Sequence, residues 1–272
     1  MLPTIQIGDK QVTRLICGGN PLSGISHVSG EMDWDMTTYY TMPRLQQLLD
    51  SCWEHGINTV QSRGDRHQMR MYLEHRENGG KMQWIAQTAS EFRDIYHNID
   101  QIASFGAVAI YHHGTHVDNS WHEGKIDQVR DFLKAIQDHG LPAGIGTHIP
   151  QVVEYAEEKG WETDFYMTCF YNLARGYKSA PAAEQDAYAR DRYHAGDPDA
   201  MAAVVRQTKK PCLGFKILAA TRNATSPEAT REAFAYAFRS IKPSDAVVVG
   251  MFPKYRDQVA ENAQYVRELA AS

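Results

Sequence analysis

The sequence of 272 residues has few cysteines and no long apolar run. Its four cysteines, Cys17, Cys52, Cys169 and Cys212, are scattered without a CxxC pair, which is typical of a reducing compartment. No apolar run approaches the ~18 residues of a membrane span. The amino-terminal segment MLPTIQIGDKQVTRL has no charged stretch followed by an apolar one and no twin-arginine pair. We therefore expect a cytoplasmic protein without a membrane segment.

An excess of positive charge is also absent. Lys and Arg number 28 against 33 Asp and Glu, the formal net charge is −5, and the pI is about 6.2. This balance indicates no basic surface for nucleic acid or for an anionic membrane. Hydrophobic residues make up 43% of the chain, which is ordinary for a globular protein with a sizeable core. We expect a small-molecule substrate, and the sequence leaves the oligomeric state open.

Short apolar, β-branched runs recur along the chain and predict eight strands. Helix-length amphipathic segments lie between them, such as KIDQVRDFLKAIQDHG and SPEATREAFAYAFRSI. Strands that alternate with helices predict a parallel sheet with right-handed crossovers, and eight such units favour a closed (β/α)8 TIM barrel of the α/β class. An open, doubly wound sheet is the alternative, but the glycine cluster CGGNPLSG does not open a helix in the GxGxxG manner. The eight runs are Arg14–Gly18, Thr59–Ser62, Gln83–Thr88, Ala107–His112, Pro142–His148, Asp164–Tyr171, Pro211–Leu218 and Ala246–Met251.

No linker or low-complexity stretch divides the chain, so we expect one barrel domain over residues 1–272. Two irregular segments stand out, at residues 20–41 after the first strand and at residues 173–198 after the sixth. Active sites of such barrels lie at the carboxyl ends of the strands. These loop insertions are therefore expected to form walls or lids over a pocket, the alternative being insertions without a function.

Polar and titratable residues are concentrated at the predicted strand ends. A core strand normally ends in apolar residues, whereas strand ends of a barrel enzyme carry its chemistry, so this concentration indicates an enzyme. The residues are Gly19, Asn20, Gln61, Arg63, Asp65, Gln87, Thr88, His112, His113, Thr147, His148, Cys169, Tyr171, Asn172, Phe215, Lys216, Met251 and Lys254.

His112 and His148 end neighbouring strands, and their imidazoles suit acid–base chemistry or metal binding. His113 alternates away from His112 on a strand, so we expect only one of the two to face the pocket and assign the role to His112. The alternative is a histidine satisfied by loop backbone. As a metal site for Zn²⁺, Mn²⁺ or Fe²⁺, the pair would be completed by Gln61, Asp65 or Cys169. No compact HxH or HExxH spacing supports that site.

Lys216 interrupts an apolar strand in LGFKILAA. A buried lysine is costly unless it is paired, so we expect it to bind a carboxylate or phosphate, or to pair with an internal acid. Schiff-base catalysis is a further alternative. Arg63 and Asp65, in QSRGDR, either anchor the substrate or pair with each other.

The order of these segments resembles the aldo-keto reductase superfamily over nearly the whole chain. The similar segments are VTRLICGGNPLSG, GINTVQSRGDR, IYHHGTHVD, PAGIGTH, DFYMTCFYNLAR and VVVGMFPKYRDQVAENAQYV. The resemblance implies a barrel that reduces carbonyls with NADPH through an Asp, Tyr, Lys and His tetrad, in which the tyrosine donates the proton. These four positions fall on Gln61, Arg66, Thr88 and His112, so only the histidine is retained.

The resemblance also implies a cofactor-binding set. The nicotinamide-holding Ser-Asn pair falls on Thr147 and His148, the strand-six Gln on Thr168, and the stacking Tyr on Phe215. The carboxyl-terminal grip keeps Gln258, Glu261 and Asn262, with a two-residue insertion near Lys254. Because the proton donor and its supporting lysine are both replaced, the family's usual chemistry is not implied directly.

Three hypotheses for function follow. The first is non-redox acid–base or metal-assisted chemistry (lyase or isomerase type) on a small oxygenated carbonyl or keto-sugar. The second is an NAD(P)H-dependent oxidoreductase with an altered proton donor, and the third is a catalytically inactive binding barrel. The catalytic set would be His112, His148, Lys216 and Tyr171; the substrate-binding set Asn20, Gln61, Arg63, Asp65 and Thr88; and the cofactor-binding set Phe215, Lys254, Gln258 and Asn262.

Overall fold

The computed structural model describes residues 1–175 and 193–270. Its strands are β1 (Thr4–Ile7), β2 (Lys10–Thr13), β3 (Leu15–Gly18), β4 (Thr59–Arg63), β5 (Gln83–Gln87), β6 (Ala109–His112), β7 (Ala143–Thr147), β8 (Phe165–Cys169), β9 (Cys212–Phe215) and β10 (Ala246–Gly250). Strands β3 to β10 are parallel and close into a barrel, in which β10 pairs with both β9 and β3. The predicted TIM barrel is therefore confirmed, and the eight predicted strand runs are its eight strands.

Helices follow the barrel strands along the chain. In the described residues they are α1 (Gly30–Tyr39), α2 (Met42–Glu54), α3 (Arg66–Glu77), α4 (Ile95–Ser104), α5 (Gly114–His122), α6 (Val129–Gln137), α7 (Pro150–Glu158), α8 (Asp197–Gln207), α9 (Pro227–Ser240) and α10 (Gln258–Leu269). Polar side chains cap several of them at the amino end: Ser29 accepts from the Met32 amide in α1, and Asp65 accepts from the Gln68 amide in α3. Such caps satisfy amide groups that have no partner within the helix.

Alternation along the strands divides the apolar side chains into two clusters. Ile16, Ile85, Phe165, Leu213 and Val248 belong to the cluster inside the barrel. The larger cluster lies between the barrel and its helices and contains the residues of opposite parity, such as those at positions 60, 84 and 247. Because successive strand residues point to opposite faces, one strand supplies both layers.

An antiparallel hairpin of β1 and β2 precedes the barrel. Its side chains Ile5, Ile7 and Val12 are buried in the same cluster as the barrel interior, so the hairpin closes the floor of the barrel. The turn between the strands includes Gly8 at a φ of +57°, which glycine adopts without steric cost. A Cβ there would lie 2.4 Å from Cγ of Pro142, so the position has no room for a side chain.

Of the two segments predicted to be irregular, the structure describes residues 20–41 in full and residues 173–198 only in part. Residues 20–41 contain a short 3-10 helix, Pro21–Ser23, and the ten-residue helix α1, so this segment is more ordered than expected. Its weak amphipathic pattern gives little sign of that helix in the sequence. Most of the second segment, residues 173–198, lies outside the described residues; its last two residues begin α8.

Candidate active site

A cavity of about 770 Å³ opens at the carboxyl ends of the barrel strands. Helix α1 contributes Met32 and Met36 to one wall, and helix α5 and the segment between β10 and α10 form others. This is the end of a TIM barrel at which active sites lie. The upper end of every barrel strand supplies a lining residue: Gly18, Gln61, Gln87, Tyr111, Gly146, Met167, Phe215 and Gly250.

His148 follows β7 and lines the cavity, where it is oriented by a buried carboxylate. Its Nδ1 lies 2.7 Å from Oδ2 of Asp118, a residue of α5 that is 2% exposed. The same carboxylate accepts the hydroxyl of Thr147 at 2.6 Å and the backbone amide of His148 at 3.2 Å. The Thr147 hydroxyl and the His148 amide therefore fix the position of the Asp118 carboxylate, and the carboxylate fixes the orientation of the imidazole through Nδ1. This arrangement leaves the Nε2 edge of His148 for the cavity.

Glycines at two positions allow this contact. A Cβ on Gly146 of β7 would lie 3.0 Å from the backbone nitrogen of Gly114, the first residue of α5. The helix therefore approaches the strand so closely that Asp118, one turn further along, reaches the end of β7. The phenol of Tyr111 packs on the same strand, since the Gly146 Cβ would lie 3.2 Å from its Cε2.

His113 lines the cavity beside His148 and caps the amino end of α5. Its Nδ1 accepts the backbone amide of Thr115 at 3.1 Å. Burial, and to a lesser extent the nearby His116, Arg63 and His148, lower the pKa of His113 to about 3. The imidazole is therefore neutral, with its proton on Nε2, where it is a hydrogen-bond donor.

Tyr111 lies below the histidines as the inward residue of β6. The side-chain amide of Gln61 donates a hydrogen bond of 2.8 Å to its phenol oxygen. Burial raises the pKa of the phenol above its usual value, and the positive charge of Arg63 opposes that rise. The phenol therefore keeps its proton in this environment.

The expectation that His112 faces the pocket is wrong. His112 is 1% exposed and points out of the barrel, where it stacks on Phe132 of α6 with ring centroids 4.3 Å apart. Its Nδ1 lies 3.1 Å from the hydroxyl of Thr88, which also points outward and accepts the backbone amide of His113. Successive residues of a strand point to opposite faces of the barrel wall. The neighbours of Thr88 and His112, which are Gln87 and His113, therefore point inward and line the cavity.

Some of the other predicted site residues line the cavity, whereas Asp65, Tyr171 and Lys254 do not. Asp65 caps α3 and pairs with Nε of Arg63 at 3.6 Å, and the hydroxyl of Tyr171 accepts a hydrogen bond from Asn223. Lys254 is exposed at the rim and pairs with Asp35 of α1. Those that line the cavity are Asn20, Gln61, Arg63, His148, Phe215, Lys216, Gln258 and Asn262.

The wall formed by the segment between β10 and α10 is polar and internally braced. Arg256 forms an ion pair of 2.6 Å with Glu261, and Oε1 of Gln258 accepts the backbone amide of Phe252 at 2.7 Å. Tyr255 donates to Asp35 at 2.7 Å, which joins this wall to α1 across the cavity mouth. The wall therefore offers charged and amide groups in defined positions.

The segment after β9 has unusual backbone. Lys216 has a φ of +61°, and Ala219, Ala220 and Thr221 have φ between +47° and +73°. Residues with a Cβ adopt this region at a steric cost, and such strain concentrates at functional sites. Lys216 lies with its amine 3.4 Å from the hydroxyl of Tyr193. Beside it, the ring of Phe215 packs edge to face with His148, at 5.5 Å between centroids.

Neither a metal site nor a membrane span is found in the described part of the chain. Residues 1–175 and 193–270 contain no group of three or more His, Cys, Asp or Glu placed to hold a metal ion. With His112 on the outer face of β6, the pair proposed as ligands does not converge. Within the same residues, no helix combines the length and apolar character needed to cross a bilayer.

Three residues of the site were not assigned by the sequence. Asp118 lies 30 residues before His148, and no local motif connects them. Tyr111 of β6 and His113, directly after it, lie on the inward face, and assigning them required knowing which alternate residues of that strand point inward.

Solved structures similar to this chain include aldo-keto reductases. An aldo-keto reductase from Bacillus halodurans, in its holo form, matches with a TM-score of 0.60 and 12% identity over 100% of this chain and 96% of that one. An aldo/keto reductase from Brucella melitensis matches with a TM-score of 0.54 and 9% identity, over 99% and 98%. A glycerol dehydrogenase from Gluconobacter oxydans matches with a TM-score of 0.51 and 13% identity, over 99% and 95%.

At the sequence level no protein-family model and no curated protein matches the chain. Identities this low show the fold alone, so the chain is an aldo-keto-reductase-like barrel.

Proposed function

We propose that this protein is an NAD(P)H-dependent oxidoreductase that reduces a small oxygenated carbonyl compound, such as a keto-sugar or a hydroxy-carbonyl. One observation carries the proposal: a single cavity runs from the histidines at the strand ends to the polar wall before α10. The similarity to two reductases and a dehydrogenase supports it.

The chemistry of the cavity wall fits a nicotinamide nucleotide. Such a nucleotide needs a flat surface for its ring and cationic or amide donors for its phosphates. Phe215 offers the flat surface next to His148, and Arg256, Gln258 and Asn262 line the cavity after the neighbouring strand β10, before and within α10. A helix start also favours phosphate groups. When bound, the nucleotide supplies the hydride for carbonyl reduction.

The proton donor must differ from that of the family. Arg66 occupies the position of the family tyrosine but is exposed at the start of α3. When His148 carries two protons, Nδ1 donates to Asp118 and the second proton lies at Nε2, on the cavity side. We assign it the role of giving that proton to the oxygen of the reduced carbonyl. His113, through Nε2, donates a hydrogen bond to the same oxygen and so orients the substrate.

The first hypothesis from the sequence is a lyase or isomerase reaction, but the similar structures described above are two reductases and a dehydrogenase, which favours oxidoreduction as the main activity. Its metal-assisted form would require a ligand cluster, and the described residues contain none. Oxidoreduction is therefore the function that we propose.

The test is titration of the purified protein with NADPH and NADH, followed by quenching of its intrinsic fluorescence. We expect saturable micromolar binding and oxidation of the bound nucleotide, seen as loss of absorbance, with members of a panel of hydroxy-ketones and keto-sugars. Arg256→Ala should weaken NADPH binding about 10- to 100-fold, since hydrogen bonds to charged groups contribute about 1.5–3 kcal/mol. Arg70→Ala, on an exposed face of α3, is the matched control. Absence of saturable binding by either nucleotide would refute the proposal.

A further inference from the structure

We propose that the cavity also carries an activity that needs no nicotinamide: it removes and returns the proton on the carbon next to the carbonyl group of a small α-hydroxy aldehyde or ketone. The observation behind this proposal is a pair of imidazoles in one cavity whose hydrogen-bonding roles are opposite. One presents a lone pair and the other presents a proton. This activity goes beyond reduction, which requires a proton donor but no base.

His148 supplies the base. Because Nδ1 donates to Asp118 at 2.7 Å, the proton of the neutral imidazole lies on Nδ1 and the lone pair on Nε2. The carboxylate is itself held by Thr147 and by the backbone amide of residue 148, so the tautomer is maintained. The side chain of His148 is 17% exposed, and it lines the cavity, so a substrate can reach Nε2.

His113 supplies the electrophile. Its Nδ1 is occupied by the amide of Thr115, and an amide can only donate, so the proton of the imidazole must lie on Nε2. The ring caps the amino end of α5, where the helix dipole and burial disfavour a second proton. A neutral imidazole at a helix start is suited to polarise a carbonyl and to stabilise the enolate oxygen.

The reaction balances without an oxidant or a reductant. Nε2 of His148 takes the proton from the carbon next to the carbonyl, and the electron pair of that C–H bond forms a carbon–carbon double bond. The π pair of the carbonyl moves to its oxygen, which accepts a hydrogen bond from Nε2 of His113. Return of the proton from His148 to the same carbon regenerates the starting compound. Its return to the former carbonyl carbon gives the aldose–ketose isomer, because the hydroxyl on the first carbon then gives its proton to the former carbonyl oxygen and becomes the new carbonyl group.

The experiment is hydrogen–deuterium exchange in D₂O without any nucleotide. The full chain is incubated with dihydroxyacetone or glyceraldehyde, and loss of the signal of the hydrogen next to the carbonyl is followed by proton NMR. We expect exchange well above the rate in the same buffer without protein. His148→Ala should lower the protein-dependent rate about 10²–10⁴-fold, the usual contribution of a general base.

Two further variants test the assigned roles. His113→Asn keeps a side-chain acceptor for the start of α5 but removes the Nε2 donor, so it should fold while losing most of the exchange activity. His97→Gln, on an exposed face of α4, should exchange at the wild-type rate.

Exchange by the wild-type protein no faster than in buffer, or exchange unchanged in His148→Ala, would overturn the inference. Because no nucleotide is present, failure here is distinguishable from failure of the proposed reductase. A protein that oxidises NADPH with a carbonyl compound but shows no exchange refutes only the inference.

Discussion

His112 and His113 are adjacent and have the same side chain, yet they lie in different environments. His112 is stacked on Phe132 between the barrel and α6, whereas His113 lines the cavity and caps α5. Thr88 connects the two, because its hydroxyl accepts the amide of His113 and is hydrogen-bonded to Nδ1 of His112. The outer histidine thus supports the backbone that positions the inner one.

Asp118 is the positioning residue that sets the tautomer of His148. Asp118→Asn replaces the carboxylate by an amide, which no longer favours a donor at Nδ1 over an acceptor. We expect both acid–base activities to fall about 10²–10⁴-fold. The downfield proton NMR resonance of the Nδ1–H group should be lost in parallel. Asp131→Asn, on an exposed face of α6, is the control. A variant that keeps both the rate and this resonance would contradict the assignment.

Helix α5 and its amino-terminal cap hold two of the three acid–base groups of the site, Asp118 and His113, and the third is His148. It begins directly after His113, and Asp118 follows one turn later, so a single rigid element holds the neutral imidazole and the carboxylate that orients His148. The close approach of Gly114 and Gly146 sets the distance between this helix and β7. A site on a helix and a strand end is held more firmly than one on loops alone.

The hairpin of β1 and β2 acts at the opposite end of the barrel. Ile7 is 2% exposed and fills the floor, whereas its neighbour Gln6 points to solvent. Ile7→Ala should lower the free energy of unfolding by about 2–5 kcal/mol, the usual cost of removing a large buried side chain. Gln6→Ala should change it by no more than about 0.5 kcal/mol.

Urea denaturation, followed by tryptophan fluorescence, measures both variants. The folded Ile7→Ala protein should keep the activity of the wild type, because the cavity lies at the other end of the strands. Equal effects of the two substitutions would show that the hairpin does not fill the barrel floor.

The folded molecule keeps several histidines neutral, and this makes its stability depend on pH. Burial lowers the pKa of His112 and His113 to about 3, and that of His75 and His116 below the usual 6.5. The unfolded chain therefore binds more protons than the folded one below about pH 6.5. Acidification below that pH destabilises the fold until the folded-state pKa is reached.

We expect the free energy of unfolding to fall between pH 7 and pH 5 by up to about 1.4 kcal/mol per pH unit for each such histidine. His112→Phe, which preserves a ring against Phe132, should reduce that slope by the contribution of one proton. His97→Phe, at an exposed position, should leave the slope unchanged. Urea denaturation at a series of pH values gives the slope, and an identical slope in His112→Phe would refute the assignment.

The placement of the site residues was predictable only in part. Gln61, His148 and Phe215 line the cavity as expected from the strand ends, while Thr88 and His112 point outward. Five of the eight predicted runs end one to three residues beyond the strands, and over such short runs the inward face cannot be read from composition. Tyr171 and Asp65 follow their strands and turn toward other partners.

The order and number of the strands and helices, and hence the barrel, follow from the sequence by itself, because hydrophobic periodicity is a local property. Tertiary structure alone decided which histidine of the adjacent pair enters the cavity, and it brought Asp118 to His148. It also folded the amino-terminal hairpin into the floor of the barrel. These contacts join residues far apart in the chain, and their geometry depends on strand register and on close helix packing, which no local pattern encodes.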